Sequence, residues 1–446
     1  MFKNFLFLLI LLNVVGPSNL LFSKNIDYYV SSKGNNLNNG KSPEHPFKTI
    51  QKAADFARAG DTVYIMGGIY SESIDIKYSG LKNNEIFFTN YKNQNVVIDG
   101  NNKFPKETWR GLFSIFNKKH IKISGLNLKN SLYAGILVVD SKYITIENVS
   151  SYNTTSSAFG IWGSQHILID SNRVELACNG GTDESITISE SQHCIVRKNE
   201  VTNNGDPING GEGIDIKDGS EYISVYNNHV HHLNNRTGIY VDGWDKDTVG
   251  PINVYNNRVH DCNHTAMAIA TERGGHLQNV SFYNNIIYNN SDVGILLGGW
   301  ISHDEHKPDP KHTPVTNIKL INNTIYNNKG GIVVVNKDIK NLIIRNNICS
   351  HNSPKKTKDY EILIENNNSK SNIRVDHNIF QGRGSNDFPL QTSNLPIFKD
   401  VAKDDFHLNL ASPAINKGTA LSAPILDYEG GDRVENEKYD IGAYID

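Results

Sequence analysis

From about residue 120 the chain repeats one short pattern, apolar–x–apolar–x–Asn–apolar. It reads ITIENV from Ile144, ILIDSNRV from Ile167, CIVRKNEV from Cys194, ISVYNNHV from Ile223 and INVYNNRV from Ile252. It continues as VSFYNNII from Val280, IKLINNTI from Ile318, LIIRNNIC from Leu342 and IRVDHNIF from Ile373. The equivalent residues are Asn148, Asn172, Asn199, Asn228, Asn257, Asn285, Asn323, Asn347 and Asn378, spaced 24 to 38 residues apart. Short alternating strands at such a period predict a solenoid of β-coils, in which no coil buries its apolar face without its neighbours. One Asn per turn can hydrogen-bond to the next along the axis, and Asn tolerates the left-handed conformation of tight turns.

Each repeat carries a second strand, anchored on Ile136, Ile161, Ile186, Ile214, Ile239, Ile269, Ile295, Ile332 and Ile362. Alternation by two makes these Ile and the residues two further on the inward columns. Near the N-terminus, Thr49–Arg58 reads as a short amphipathic helix with Ile50, Ala53, Ala54 and Ala57 on one side. Such a helix would cover the first coil's exposed sheet edge. Strands are expected around Thr62–Met66 and Ile74–Ile76. The expected fold class is all-β: a single-domain parallel β-helix of about ten coils, with an N-terminal capping helix and an irregular C-terminal cap. The boundaries read as 1–23 for a signal peptide, 24–119 for the N-terminal cap and first coils, 120–385 for the coils and 386–446 for the C-terminal cap.

Composition sharpens this picture. The 446 residues include 59 Asn, and the repeat gives that excess a purpose. The formal net charge of -3, with Lys and Arg scattered, excludes the basic stripe of a nucleic-acid protein. The apolar run from Phe5 to Val15, preceded by Lys3, has signal-peptide length, so the mature protein is expected to be periplasmic or secreted, without membrane contact. A monomer is expected. Cys178, Cys194, Cys262 and Cys349 match no zinc spacing and read as buried free thiols, with a Cys178–Cys194 disulfide as the alternative.

The segment YYVSSKGNNLNNGKSPEHPFKTIQKAADFARAGDTVYIMGG, the Asn-turn coils and the closing SPAINKG…DIGAY carry a resemblance. The chain resembles the right-handed parallel β-helix proteins of the pectin-lyase-like superfamily, over nearly all the mature sequence. The resemblance implies that fold and a carbohydrate-active protein. It does not choose a reaction, because such relatives include polysaccharide lyases, glycosidases and binding proteins.

The outward columns of the Ile-containing strands single out a site. Most coils are apolar there, but the middle coils run Thr187, Asp215, Tyr240, Ala270 in one column and Ser189, Lys217, Asp242, Glu272 in the next. Adjacent coils lie about 4.8 Å apart, so Lys217, Asp242 and Glu272 are expected to stack. Glu184 and Glu212 precede their strands, while Asp218, Trp244, Asp245 and Arg273 follow theirs. A solvated ladder of surface ion pairs is the plain alternative. Against it stand the confinement of charge to three coils and the neighbouring aromatics Tyr240 and Trp244. A long insertion, GGWISHDEHKPDPKHTP, follows the strand at Ile295 and would wall the cleft with Trp300, His303, His306 or His312. His276 is a further substrate-binding candidate, and the His303-x-x-His306 spacing a weaker metal signal. His229, His231 and His232, near the Asn turns, read as structural.

Two chemistries suit these residues, and β-elimination on a uronic-acid poly- or oligosaccharide ranks first. It needs a cation to neutralise the C6 carboxylate, a base for the C5 proton and an acid for the departing C4 oxygen. Arg273 supplies the cation, or Ca²⁺ held among Glu184, Glu212, Asp215, Asp218 and Asp242 does so. Lys217 or Tyr240 is the base, and either a glycosidic oxygen or a terminal uronate's C4 hydroxyl leaves. The second chemistry is glycoside hydrolysis by a carboxylate pair: Asp242 with Glu272 at a retaining separation, or Asp215 with Glu272 at about 10 Å, nearer an inverting one. A non-catalytic glycan-binding protein is the third reading.

Overall fold

The computed structural model describes residues 25–181, 183–203, 210–234, 236–244, 247–271, 275–299, 315–336, 338–352, 360–365, 372–381, 397–433 and 439–445. The candidate signal peptide lies outside these residues. The chain winds through three parallel sheets, A, B and C, of 15, 12 and 11 strands. One coil shows the order: Ala134–Val139 in sheet C, Lys142–Glu147 in sheet A, Ser150–Thr154 in sheet B, then Phe159–Trp162 back in sheet C. The inward Ile and Val of successive coils stack into one continuous core, with Ile136, Ile186, Ile214, Ile239 and Ile295 wholly buried.

The Asn positions split into two columns with different work. From Asn172 to Asn347 each ladder Asn donates its Nδ2–H to the Oδ1 of the next, as Asn199 to Asn228 and Asn228 to Asn257, both at 3.0 Å, and the series ends on Asn378. Each Oδ1 also accepts from a backbone N–H one coil earlier, and each Nδ2 also donates to a carbonyl, so both ends of the amide are satisfied. The left-handed residue is the one before, such as Asn227, Asn256 and Asn284 with φ between 52 and 55°. Asn148 belongs to that column (φ 51°), and Val149 takes the ladder position, donating its N–H to Asn172. A shorter ladder runs Asn290, Asn328, Asn352 and ends on buried Glu361. At the turn from sheet C to sheet A, Ser141, Ser164, Ser191 and Ser220 do the same with hydroxyls accepting backbone N–H groups.

The inward register differs from the expected one at two coils. Ile136 pairs with Phe159 and Val138 with Ile161, while Ile239 pairs with Met267 and Val241 with Ile269. A slip of two keeps the same face inward, so alternation alone cannot reveal it.

The N-terminal helix is Ile50–Ala54, shorter than expected, with Ile50, Ala53 and Ala54 buried. Thr49 caps it, and the Glu72 carboxylate accepts the N–H groups of Ile50 and Gln51 at 3.0 Å each. At the other end Phe398–Asp400 and Asp405–Leu408 form an antiparallel pair. Phe398 and Phe406 there pack with Ile286, Tyr288 and Ile348 of sheet B in a second apolar cluster. All four cysteines are free and buried, so the Cys178–Cys194 alternative falls away.

Candidate active site

In the middle coils the residues just ahead of each sheet C strand, at the end of the turn from sheet B, lie beside the outward face of sheet C. That placement forms a cleft of about 360 Å³ whose charged lining comes from Asp183, Glu184, Glu212, Asp215, Lys217, Arg236 and Asp242. Glu184, Glu212 and Arg236 enter from the loops. Asp215, Lys217 and Asp242 enter from the strands Ile214–Lys217 and Ile239–Gly243. Asp215 lies beside Thr187 on one side and Tyr240 on the other.

These are not surface charges. Asp215 is 2 % exposed and Asp242 3 %. Lys217 donates to Glu184 Oε1 at 2.7 Å and stands 3.8 Å from Asp215 Oδ2, while Thr187 donates to Glu184 Oε2 at 2.9 Å. Asp215 Oδ1 is buried with no hydrogen-bond partner. Burial, then the Glu184 charge, pushes the Asp215 carboxyl well above the usual range, with Asp242 and Glu212 adding to it against the pull of Lys217. Burial and Glu184 likewise raise Glu212 to about 7. Burial by itself would lower Lys217, but the Glu184 and Asp215 charges overcome it and hold the ammonium firmly protonated. The cleft therefore carries more carboxylate than its two cations balance. Crowded hard oxygens with one buried lone pair unused fit a divalent cation such as Ca²⁺.

The structure gathers Glu184, Glu212, Asp215, Lys217, Tyr240, Asp242 and Trp244 at this one cleft. Asp218 stands off its lining, at the end of its strand, where Oδ2 accepts from Ser189 at 3.1 Å. His276 is set apart in sheet A, with Nε2 3.3 Å from Thr316 Oγ1. Ala270, not Glu272, faces Asp242 across the strands, so the two-residue slip removes the expected Asp242–Glu272 stack. Glu272, Arg273, Asp245, Trp300, His303, His306 and His312 lie outside the described residues. Tyr240 is 6 % exposed and its ring packs with Ala268, Ala270 and Leu296, so it is no open stacking platform. Trp244, 36 % exposed, is the more open of the two rings.

Asp183, Arg236, Trp162 and Trp109 were missed. Arg236 precedes its strand much as Glu184 and Glu212 precede theirs, and it donates to the Gly210 carbonyl at 2.5 Å. That shared pre-strand position was the available signal. Trp162 stands in the Lys217 column two coils earlier, with small Ser189 between, so the ammonium reaches back to 5.8 Å from the indole ring. Trp109, 48 % exposed, meets Trp162 edge-on at 5.1 Å. They line a second cleft of about 480 Å³ with Arg110, Asp140 and Glu190, next to the first.

Residues 28–180 match the family model described as Pel9A-like, right handed beta helix region. The fold is that of the pectin-lyase-like right-handed parallel β-helices. An uncharacterized protein of Bacillus subtilis, YwoF, is 28 % identical over 87 % of this chain and 92 % of its own length. Pectate lyase PEL9 of Emericella nidulans is 28 % identical over 31 % of this chain and 36 % of its own. The crystal structure of pectate lyase Pel9A superposes with a TM-score of 0.57 at 16 % identity, covering 95 % of this chain and 97 % of that one. That likeness speaks for the fold.

Proposed function

We propose that this protein is a secreted or periplasmic carbohydrate-active enzyme that cleaves anionic, uronic-acid-containing poly- or oligosaccharides by β-elimination. The observation that carries the reading is a buried Lys217 enclosed by Glu184 and Asp215 in an over-acidic cleft. The part-sequence likeness to a pectate lyase supports the substrate class.

Glu184, Glu212 and Asp215 would hold one Ca²⁺, which supplies the positive charge that neutralises the uronate carboxylate and acidifies the C5–H. Arg236 offers a guanidinium to the same carboxylate. With Glu184 and Asp215 engaged elsewhere, the fields that keep Lys217 protonated weaken, and its neutral amine accepts the C5 proton. Tyr240, beside Asp215, donates a proton to the departing C4 oxygen. The C5–H and C4–O bonds break, and the C4=C5 double bond of an unsaturated uronate forms. The leaving group is the next sugar in a lyase or a C4 hydroxyl in a dehydratase. Trp109, Trp162 and Trp244 offer faces to flanking sugars.

Hydrolysis is the second reading, favoured by Asp215. A buried carboxyl with a raised proton affinity beside Asp242 is what a general acid paired with a carboxylate requires.

The test incubates the full protein with a panel of polyuronates and their oligosaccharides, with and without chelator. Ultraviolet absorbance of an unsaturated uronate, lost on chelation and restored by Ca²⁺, is the expected result. New reducing ends without that absorbance would overturn elimination in favour of hydrolysis.

A further inference from the structure

The outer face of sheet B carries a group unrelated to the cleft. His229 and His231 alternate outward on the strand His229–His231, and His260 lies beside His231 on the strand Arg258–His260. One ring nitrogen from each falls within 4.8 Å of the others. His229 Nε2 and His260 Nε2 are 2.7 Å apart. On the other side of the His260 ring, Nδ1 meets Asp261 Oδ2 at 2.6 Å. That contact puts the His260 proton on Nδ1 and leaves Nε2 as a bare lone pair toward His229. His231 Nε2 faces Glu200 Oε1 at 3.3 Å, and its Nδ1 lies 2.7 Å from His232 Nδ1.

A second histidine-bearing stack in this molecule shows that such convergence is not a by-product of the solenoid. His120, Tyr143, His166, His193 and Tyr222 pile up along sheet A with nearly parallel rings 4.7 to 5.0 Å apart. No nitrogen–nitrogen contact links His166 to His193 there. In sheet B the rings of His229 and His231 close to 4.2 Å, and His229 Nε2 turns to His260 Nε2 across the coils. Tetrahedral zinc sets ligand nitrogens at about 2.0–2.1 Å from the metal and so about 3.3 Å from each other. Small ring rotations reach that from 2.7 and 4.8 Å. Histidine ligands usually donate their second nitrogen to a carboxylate, as Asp261 and Glu200 provide here.

We propose that His229, His231 and His260 form a binding site for a divalent transition metal of the zinc class, completed by water or His232. Three imidazoles exclude Ca²⁺ and Mg²⁺, which take oxygen ligands, and suit zinc, copper or nickel. The nearby cation Arg258 is drawn aside by Tyr288, at 2.5 Å, and Asp404, at 3.3 Å. His260 also stacks on Tyr288 at 4.6 Å, and Tyr288 packs against Phe406 of the C-terminal segment. A metal here cross-links two coils where that segment docks, so its role is a structural staple.

The test titrates Zn²⁺ alone into chelator-stripped full-length protein by calorimetry. One ion per chain is expected, with a rise in melting temperature. His229→Ala and His260→Ala should each abolish both effects, and Asp261→Asn should weaken binding about 10- to 100-fold. Asp215→Asn in the cleft and His166→Ala in the other stack should bind as the wild type does. Circular dichroism checks that the variants fold. Should a variant fail to fold, the visible spectrum of Co²⁺ bound to wild type decides, because a tetrahedral nitrogen site absorbs intensely. No binding at micromolar zinc, binding untouched by the folded histidine variants, or a six-coordinate Co²⁺ spectrum would overturn the site.

Discussion

Two sets of buried polar side chains lie in adjacent parts of the same coils and behave in opposite ways. The Asn ladder under the A–B turn is neutral, and from Asn172 to Asn347 each amide is used at both ends. The cleft over sheet C is charged, its carboxylates repel one another, and Asp215 Oδ1 is left without a partner. Buried polar groups in a structural role are hydrogen-bonded nearly without exception, and ionised ones are costly unless paired. The ladder follows that rule and fixes the coil. The cleft departs from it, and the departure marks where a ligand is to be expected.

The comparison can be broken most sharply at Lys217. Lys217→Ala should cut turnover per folded molecule about 10²- to 10⁴-fold, and it should also lower the melting temperature, because Glu184 and Asp215 are left buried without their cation. Steady-state rates on the responding polyuronate, with a thermal melt, check this. An unchanged rate would place the site elsewhere. The converse holds at Asn228→Ala, which leaves the N–H and Nδ2–H of Asn199 without their acceptor. Each buried orphan costs about 1–3 kcal/mol, so unfolding in denaturant should shift by about 3 kcal/mol, with activity per folded molecule retained.

Trp109→Ala should act through binding alone, raising KM about 3- to 10-fold with kcat preserved. A fall in kcat at constant KM would remove Trp109 from the sugar path. The smallest effect is on pH. Glu212 is raised to about 7 in the folded protein, so the native state holds a proton that the unfolded chain releases near the ordinary value of 4.5. Stability should therefore fall as pH rises from about 4.5 to 7. Melting temperatures of wild type and Glu212→Gln across that range test the sign: the variant should show the flatter profile, and so should wild type in Ca²⁺.

Much of the fold was legible because its determinants are periodic. The nine Asn positions and the Ile columns announced the coils, and only Asn148 was misplaced, one residue out of the ladder and into the left-handed column. The two register slips escaped notice because Phe159 and Met267 fill inward positions as well as Ile does, and Ile161 and Ile269 also point inward two residues later. That slip carried Glu272 into apparent contact with Asp242. Glu184, Asp215 and Lys217 were legible as outward or flanking charges on consecutive coils. Asp183, Arg236, Trp109 and Trp162 were not, because the course of the turns and the reach of a lysine over Ser189 bring them to the cleft. The histidines were read as structural from their distance to the outward columns of sheet C. Sheet B has an outward face of its own.

The sequence by itself determined the solenoid, two of the three strands in each coil and the axis along which the Asn residues stack, since strand alternation and turn chemistry are local and repeat. Only the tertiary structure decided which charges are buried together, which rings converge and which oxygen stays unpaired. Those depend on how the turns lie beside one face, and on ångström distances between coils 24 to 38 residues apart in the chain. A pattern of residue types fixes the neighbours along the axis. It does not fix how far a side chain reaches across them.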